Sequence, residues 1–271
     1  MGVRLEVKDL ACRRSGRLIF SGLSFALTQG EALVVTGRNG AGKSTLLALL
    51  AGRLQPETGT IRAEGIGEAT LAERLHWVGH RDALKSALTA EENLAFAQRL
   101  LGEPALRPRD ALEAVGLAHA APLPVAYLSA GQRRRVALAR LLVARRPLWL
   151  LDEPTSALDT ASQATLLRLM NEHLAGGGLL IAATHQALGI QGAREVRIER
   201  SSNPSPLEGE GGPRVSEGRE RGESGHNPHV PSDMPSFDNT ADSNTPGTVA
   251  PPPPLPTGSA GHPLPPGERE H

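Results

Sequence analysis

Up to about Arg200, apolar and polar positions follow two alternating rhythms. Short unbroken apolar runs occur at Leu33 to Thr36, Leu148 to Leu151 and Leu179 to Thr184. Unbroken runs of this length predict strands buried on both faces, as in a parallel sheet. Between them lie segments with helical spacing: Lys43 to Ala51, ended by Gly52, then Gln132 to Ala144 and Ser162 to Leu174. Strand–helix alternation predicts an α/β fold with its ligand at the strand ends. No internal repeat is visible. The apolar runs fall far short of the ~20 residues a membrane helix needs. The opening MGVRLEVKDL lacks the long apolar core of a signal peptide. The chain is therefore expected to be soluble by itself, with any membrane role supplied by a partner.

Both rhythms stop near Arg200, which divides the chain into residues 1–200 and 201–271. In the second part Pro, Gly, Ser and charged residues dominate, and Phe237 is the sole Phe, Tyr or Trp. Such a segment buries too little apolar surface to offset backbone ordering at about 1–2 kcal/mol per residue. It is expected to be disordered, with Pro251 to Pro254 favouring polyproline II. PLEGEG near its start and PLPPGERE near its end read like opposite arms of a DNA palindrome. That pattern suggests an inert read-through tail.

Charge narrows the partners. Lys+Arg and Asp+Glu both number 29, so the formal net charge is zero. No global field favours nucleic acid, and the chain is read as binding none. The arginines at 133, 134, 135, 140, 145 and 146 are then expected to form a solvated, ion-paired helix face. The single cysteine, Cys12, cannot form an intrachain disulfide and suits a reducing compartment. It and Trp77 are expected to serve as packing.

The chemistry is concentrated after the apolar runs. Gly37-Arg38-Asn39-Gly40-Ala41-Gly42-Lys43-Ser44-Thr45 matches GxxxxGK[ST], with a strand before it and a helix after. Three glycines let the backbone turn so that successive N–H groups point inward at phosphate. The helix N-terminus adds partial positive charge there. Lys43 is expected on the β/γ-phosphates of ATP, and the Ser44 hydroxyl on Mg²⁺. Asp152 and Glu153 follow the run Leu148 to Leu151. Asp152 is expected to hold Mg²⁺, and Glu153 to orient or deprotonate the attacking water.

Leu128-Ser129-Ala130-Gly131-Gln132 resembles the LSGGQ signature of ATP-binding cassettes, with Ala130 in place of the first glycine. Ser156-Ala157-Leu158-Asp159 resembles the family's SALD loop, and His185 its switch histidine. The chain is thus identified as a member of the ATP-binding cassette (ABC) family of P-loop NTPases. The resemblance implies a RecA-like core, an antiparallel β subdomain and a helical signature subdomain. It implies a homodimer in which Ser129, Gly131 and Gln132 act on ATP held by the other subunit. It also places His185 at the γ-phosphate. Two positions depart from the family pattern. Arg14 stands where an aromatic usually stacks on adenine, and a guanidinium can also stack on a base. His80 stands near the glutamine that usually senses Mg²⁺ and the membrane partner.

Within the family, FSGLSFALTQGE, GH followed by LTAEENL, LSAGQRRRVALARL and ATHQ resemble the haem-exporter ATPases of bacterial cytochrome c maturation. That resemblance implies a CcmB-like integral membrane permease, with CcmC and CcmD handling haem. It implies work at the cytoplasmic face of the inner membrane. It puts the permease contact within about His76 to Leu101. The alternatives are an exporter of another small molecule or lipid and, from another class, a soluble cassette of translation or DNA repair. The latter usually carries two cassettes or a long coiled-coil insertion.

Overall fold

The computed structural model describes residues 2–199; the expectations for residues 201–271 lie outside them. In chain order the elements are β1 (Arg4–Arg14), β2 (Arg17–Leu27), β3 (Ala32–Thr36), α1 (Lys43–Leu50), β4 (Thr58–Glu64) and β5 (Leu75–Val78). There follow α2 (Ala90–Leu101), α3 (Pro108–Ala114), α4 (Ala130–Val143), β6 (Leu148–Asp152), α5 (Thr160–Ala175), β7 (Leu179–Ala183) and β8 (Arg194–Arg197). The three apolar runs became β3, β6 and β7, and the three helical segments α1, α4 and α5, each within two residues of the expected limits.

Two sheets result. β3, β5, β6, β7 and β8 form a parallel sheet in the order β5-β6-β7-β3-β8. β2, β1 and β4 form an antiparallel sheet with β1 central. Every residue of β6 and β7 is buried. Along β6 the side chains alternate between two cores, as a period of two requires. Leu148 and Leu150 join α1 and the antiparallel sheet. Trp149 and Leu151 join Leu138 and Leu141 of α4 and Leu166 and Met170 of α5. A third core holds α2, α3 and part of α4 around Leu94, Leu112, Leu117 and Val136. RecA-like core, β subdomain and helical subdomain are all present. Cys12 is buried on β1 opposite Phe20. Trp77 is half-buried against the first core, with the Arg53 guanidinium 4.8 Å over its ring.

The arginines after the signature segment depart from expectation. Arg134 is 3% exposed, and the Arg146 side chain 7%. Arg140 reaches the carbonyl oxygens of Trp77 and Asp82. These groups are not a solvated face. α4 turns Arg134 and Arg140 inward and Arg146 follows just beyond it, where their N–H groups satisfy backbone carbonyls that loops leave unpaired, while Arg145 alone of the six stays exposed.

Trp149 stacks on His173 at 3.9 Å between ring centroids and meets His76 edge-on at 6.5 Å. The pKa of both histidines is lowered to about 4, by burial first and, for His76, by the neighbouring Arg146 and Arg140 charges as well. The unfolded chain takes up these protons near pH 6.5, but the native state only near 4. Stability is therefore full above about pH 6.5 and falls as pH drops towards 4, by on the order of 3 kcal/mol per histidine. The melting temperature should fall over that window, and His173→Phe should flatten the fall. A melting temperature constant from pH 7 to 4 would contradict this reading.

Candidate functional site

The parallel register brings the C-terminal ends of four neighbouring strands to one edge. Val78 lies beside Leu151, Asp152 beside Ala183, and Val35 also beside Ala183. Four loops leave this edge: Gly37 to Gly42 after β3, Gly79 to Asp82 after β5, Glu153 onward after β6, and Thr184-His185 after β7. A cavity of about 1030 Å³ opens among three of them and the tip of the β1–β2 hairpin, with His80 from the fourth on its wall. Parallel α/β sheets carry their ligand sites at this edge.

The glycine-rich loop has the expected backbone. Gly37, Gly40 and Gly42 lie at φ 142°, 76° and 114°. A Cβ on Gly37 would stand 2.4 Å from the Ile198 carbonyl oxygen, and one on Gly42 2.5 Å from Ile19 Cγ2. Glycine is required at both by conformation and by space. Gly42 also caps α1, whose first backbone N–H groups have no partner within the helix. Lys43 is 7% exposed. Its Nζ donates to the Gly37 carbonyl at 2.9 Å and lies 3.9 Å from Glu153 Oε1.

Asp152, 4% exposed, ends β6, and Glu153 begins the next turn. Glu153 has φ 45°, in the left-handed region that costs a non-glycine residue about 1–3 kcal/mol unless its surroundings hold it there. Its N–H donates to the Ala183 carbonyl at 2.8 Å. Its Oε2 lies 2.9 Å from His185 Nδ1 and accepts from Thr184 Oγ1 at 3.3 Å. Glu153, His185 and Lys43, named separately by motif, are thus one cluster.

Asn39, Gly40, Gly42, Lys43, Ser44 and Thr45 line the cavity, while Gly37, Arg38 and Ala41 shape the loop behind. Arg14 and His80 line the same cavity. Arg14 stands exposed at the hairpin end of β1, beside Ser15 and Ile19, and His80 is exposed beyond β5. Ser129, Gly131 and Gln132 do not line it. They form the start of α4, where Ser129 Oγ accepts from Gln132 N–H and Gln132 Oε1 accepts from Ser129 N–H, a reciprocal cap. The Ala157 carbonyl oxygen lies 3.0 Å from where a Gly131 Cβ would be. Asp159 caps α5, accepting from Ser162 N–H at 2.7 Å, and that bond holds its carboxyl below the usual pKa.

Two residues near the cluster had no role by motif. Thr184, fully buried, bridges Glu153 and the Gln186 N–H. Arg134 lies beneath the Asp152–Glu153 turn. Helical spacing could have marked it, since Arg134, Ala137, Leu138 and Leu141 share one buried stripe of α4.

A phosphate-binding loop, a buried strand ending in Asp-Glu and a capped signature helix define the ATPase of an ABC transporter. A family model described as ABC transporter matches residues 20–156. A putative ABC transporter ATP-binding protein from Pyrococcus furiosus shares the fold. Its TM-score is 0.63 at 24% identity, covering 72% of this chain and 97% of that one. The structure of an ATP-binding subunit of an ABC transporter gives 0.59 at 28% identity, covering 66% and 78%. The "Cytochrome c biogenesis ATP-binding export protein CcmA" of Rhodopseudomonas palustris (strain BisB5) is 60% identical over 197 residues, 72% of this chain and 97% of the relative. Its counterpart in Nitrobacter winogradskyi is 57% identical over 197 residues, covering 72% and 98%. The chain belongs to this CcmA family of ABC transporter ATPases. It is an ATPase coupled to transport, binds nucleotide, and works with a membrane partner. Among the described residues, no helix is long and apolar enough to cross a membrane.

Proposed function

We propose that this chain hydrolyses Mg-ATP as a homodimer to drive haem export, or haem release from its periplasmic carrier, during c-type cytochrome assembly. It works at the cytoplasmic face of the inner membrane, peripherally, through a CcmB-like permease with CcmC and CcmD. The observation that carries this reading is the union of two facts. Glu153, Lys43 and His185 meet in one cavity, and the chain is 60% identical to a CcmA protein over 197 residues.

The residues fit the chemistry. Left-handed glycines and the start of α1 offer N–H groups to phosphate, and Lys43 adds a charge nearby. Ser44 and Asp152 face the same cavity with oxygen donors, which suits Mg²⁺. That ion binds through few protein oxygens and keeps waters and phosphates as its other ligands. Bound there, it would neutralise charge between the β- and γ-phosphates. His80 stands near enough to that region to sense its state. Glu153 takes the proton of the attacking water, and His185 holds the carboxylate and faces the γ-phosphate. Arg14 offers its guanidinium plane to the base. Ser129, Gly131 and Gln132 present the start of α4 to ATP on the second subunit.

Lys43→Ala tests the reading at both levels. The ammonium contacts phosphate in the ground state, so ATP affinity should fall about tenfold or more along with hydrolysis. In a strain lacking the native gene, this variant should fail to restore c-type cytochromes where the unaltered chain succeeds. Unchanged ATP affinity by calorimetry would remove Lys43 from the phosphate site. Failure of the unaltered chain to restore cytochromes would remove the haem assignment.

A further inference from the structure

The Arg134 guanidinium joins two loops that belong to different parts of the site. Its Nη2 donates to the carbonyl oxygens of Asp152 and Glu153, both at 2.9 Å. Its Nη1 donates to the Gly79 carbonyl at 2.8 Å and to Asp82 Oδ1 at 3.1 Å. A cation this buried is costly unless paired and hydrogen-bonded. Asp82 is its carboxylate partner, and that side chain remains a quarter exposed. Arg140 holds the same loop from nearly two turns further along α4, donating to the Asp82 carbonyl at 2.8 Å.

We infer that Arg134 is a positioning residue that couples the Gly79–Asp82 loop to the backbone of Glu153. Glu153 is held in its left-handed conformation at both ends: by β7 through its N–H, and through its carbonyl by Arg134 together with the Ser156 N–H at 3.1 Å. The first anchor lies in the sheet core. The second is shared with a loop that borders two hollows. His80 faces the nucleotide cavity, while His80, Asp82, Leu84 and Arg133 border a surface hollow of about 430 Å³ beyond it. Pressure on that hollow that displaces the loop breaks or drags its bonds to Arg134 as well as those to Arg140. Either event alters the restraint on the Glu153 carbonyl. The Glu153 carboxylate then moves relative to His185 and Lys43, whose contacts with it are 2.9 Å and 3.9 Å. A displacement of about 1 Å at a reacting group can cost on the order of 100-fold in rate. A loop movement that shifts the carboxylate this far would therefore change hydrolysis by up to about 100-fold.

This inference rests on Glu153 being the base, and the experiment separates the two claims. ATP hydrolysis and ATP affinity would be measured for the full chain carrying Arg134→Gln, Asp82→Asn, both together, or Glu153→Gln alone. Arg134→Gln should lower kcat about tenfold or more while KM and ATP affinity change by less than about threefold. Asp82→Asn, which keeps Arg134 in place, should lower kcat less and should add nothing in the Arg134→Gln background. A purely structural Arg134 would lower the melting temperature and the amount of nucleotide-binding protein, but not kcat per nucleotide-binding molecule. If Arg134→Gln fails to fold, Asp82→Asn and Arg134→Lys carry the test. A normal kcat in both, with Glu153→Gln inactive, overturns the coupling and leaves the base intact. An active Glu153→Gln overturns the base itself, and the coupling with it.

Discussion

Glu153→Gln should hydrolyse ATP between about 100-fold and 10,000-fold more slowly than the unaltered chain, the range a general base contributes. The amide has almost the shape of the carboxylate and can still hydrogen-bond His185 Nδ1 and Thr184 Oγ1. It cannot accept the proton of the attacking water. The ion pair with Lys43 is also lost, but at 3.9 Å it is long, and Lys43 keeps its bond to the Gly37 carbonyl. ATP should therefore bind within about threefold of normal affinity, since the loss falls on the transition state alone. An ATP-bound dimer should accumulate on size exclusion. Near-normal steady-state hydrolysis would remove Glu153 from the catalytic role.

Ser129→Arg should reduce hydrolysis about 100-fold or more while leaving ATP binding by the same chain intact, because a displaced reacting geometry has that cost. Ser129 is absent from the wall of the chain's own cavity, so the substitution leaves that phosphate loop untouched. It is exposed at the start of α4, where a second subunit's phosphates would approach. A bulky cation there blocks closure. Ser129 is also the helix cap, and losing a cap costs about 1 kcal/mol. Ser129→Ala loses the cap without the bulk, so comparing the two separates lost stability from blocked assembly. Mixing Ser129→Arg with Lys43→Ala chains gives one intact composite site, so activity would return if one site fires alone. The decisive measurement adds Glu153→Gln to Ser129→Arg. An ATP-bound dimer that still forms would mean Ser129 is not at the shared interface.

Much of the site is local in sequence. The spacing of Gly37, Gly40, Gly42 and Lys43 encodes a loop whose shape depends on a few backbone angles and the helix that follows. Leu148 to Asp152 encodes a buried strand with a carboxylate at its end. Arg14 and His80 were located only by counting from motifs, and both line the same cavity as the glycine-rich loop. Arg134 was misplaced because a run of three arginines resembles a solvated face. Only the helical phase relative to Leu138 and Leu141 betrays it.

The alternation of strands and helices, the phosphate loop, the carboxylate strand and the helix after the signature are legible in the chain alone. Each of these is written in neighbouring residues and their period. The strand order β5-β6-β7-β3-β8 was decided only by tertiary packing, and so was the meeting of Lys43, Glu153 and His185. The left-handed Glu153, the burial of Arg134 between two loops and the histidines on either side of Trp149 were decided there too. The physical reason is distance along the chain. These contacts join residues tens to more than a hundred positions apart, and they form because burying both faces of β6 and β7 admits few arrangements. No local pattern carries that information.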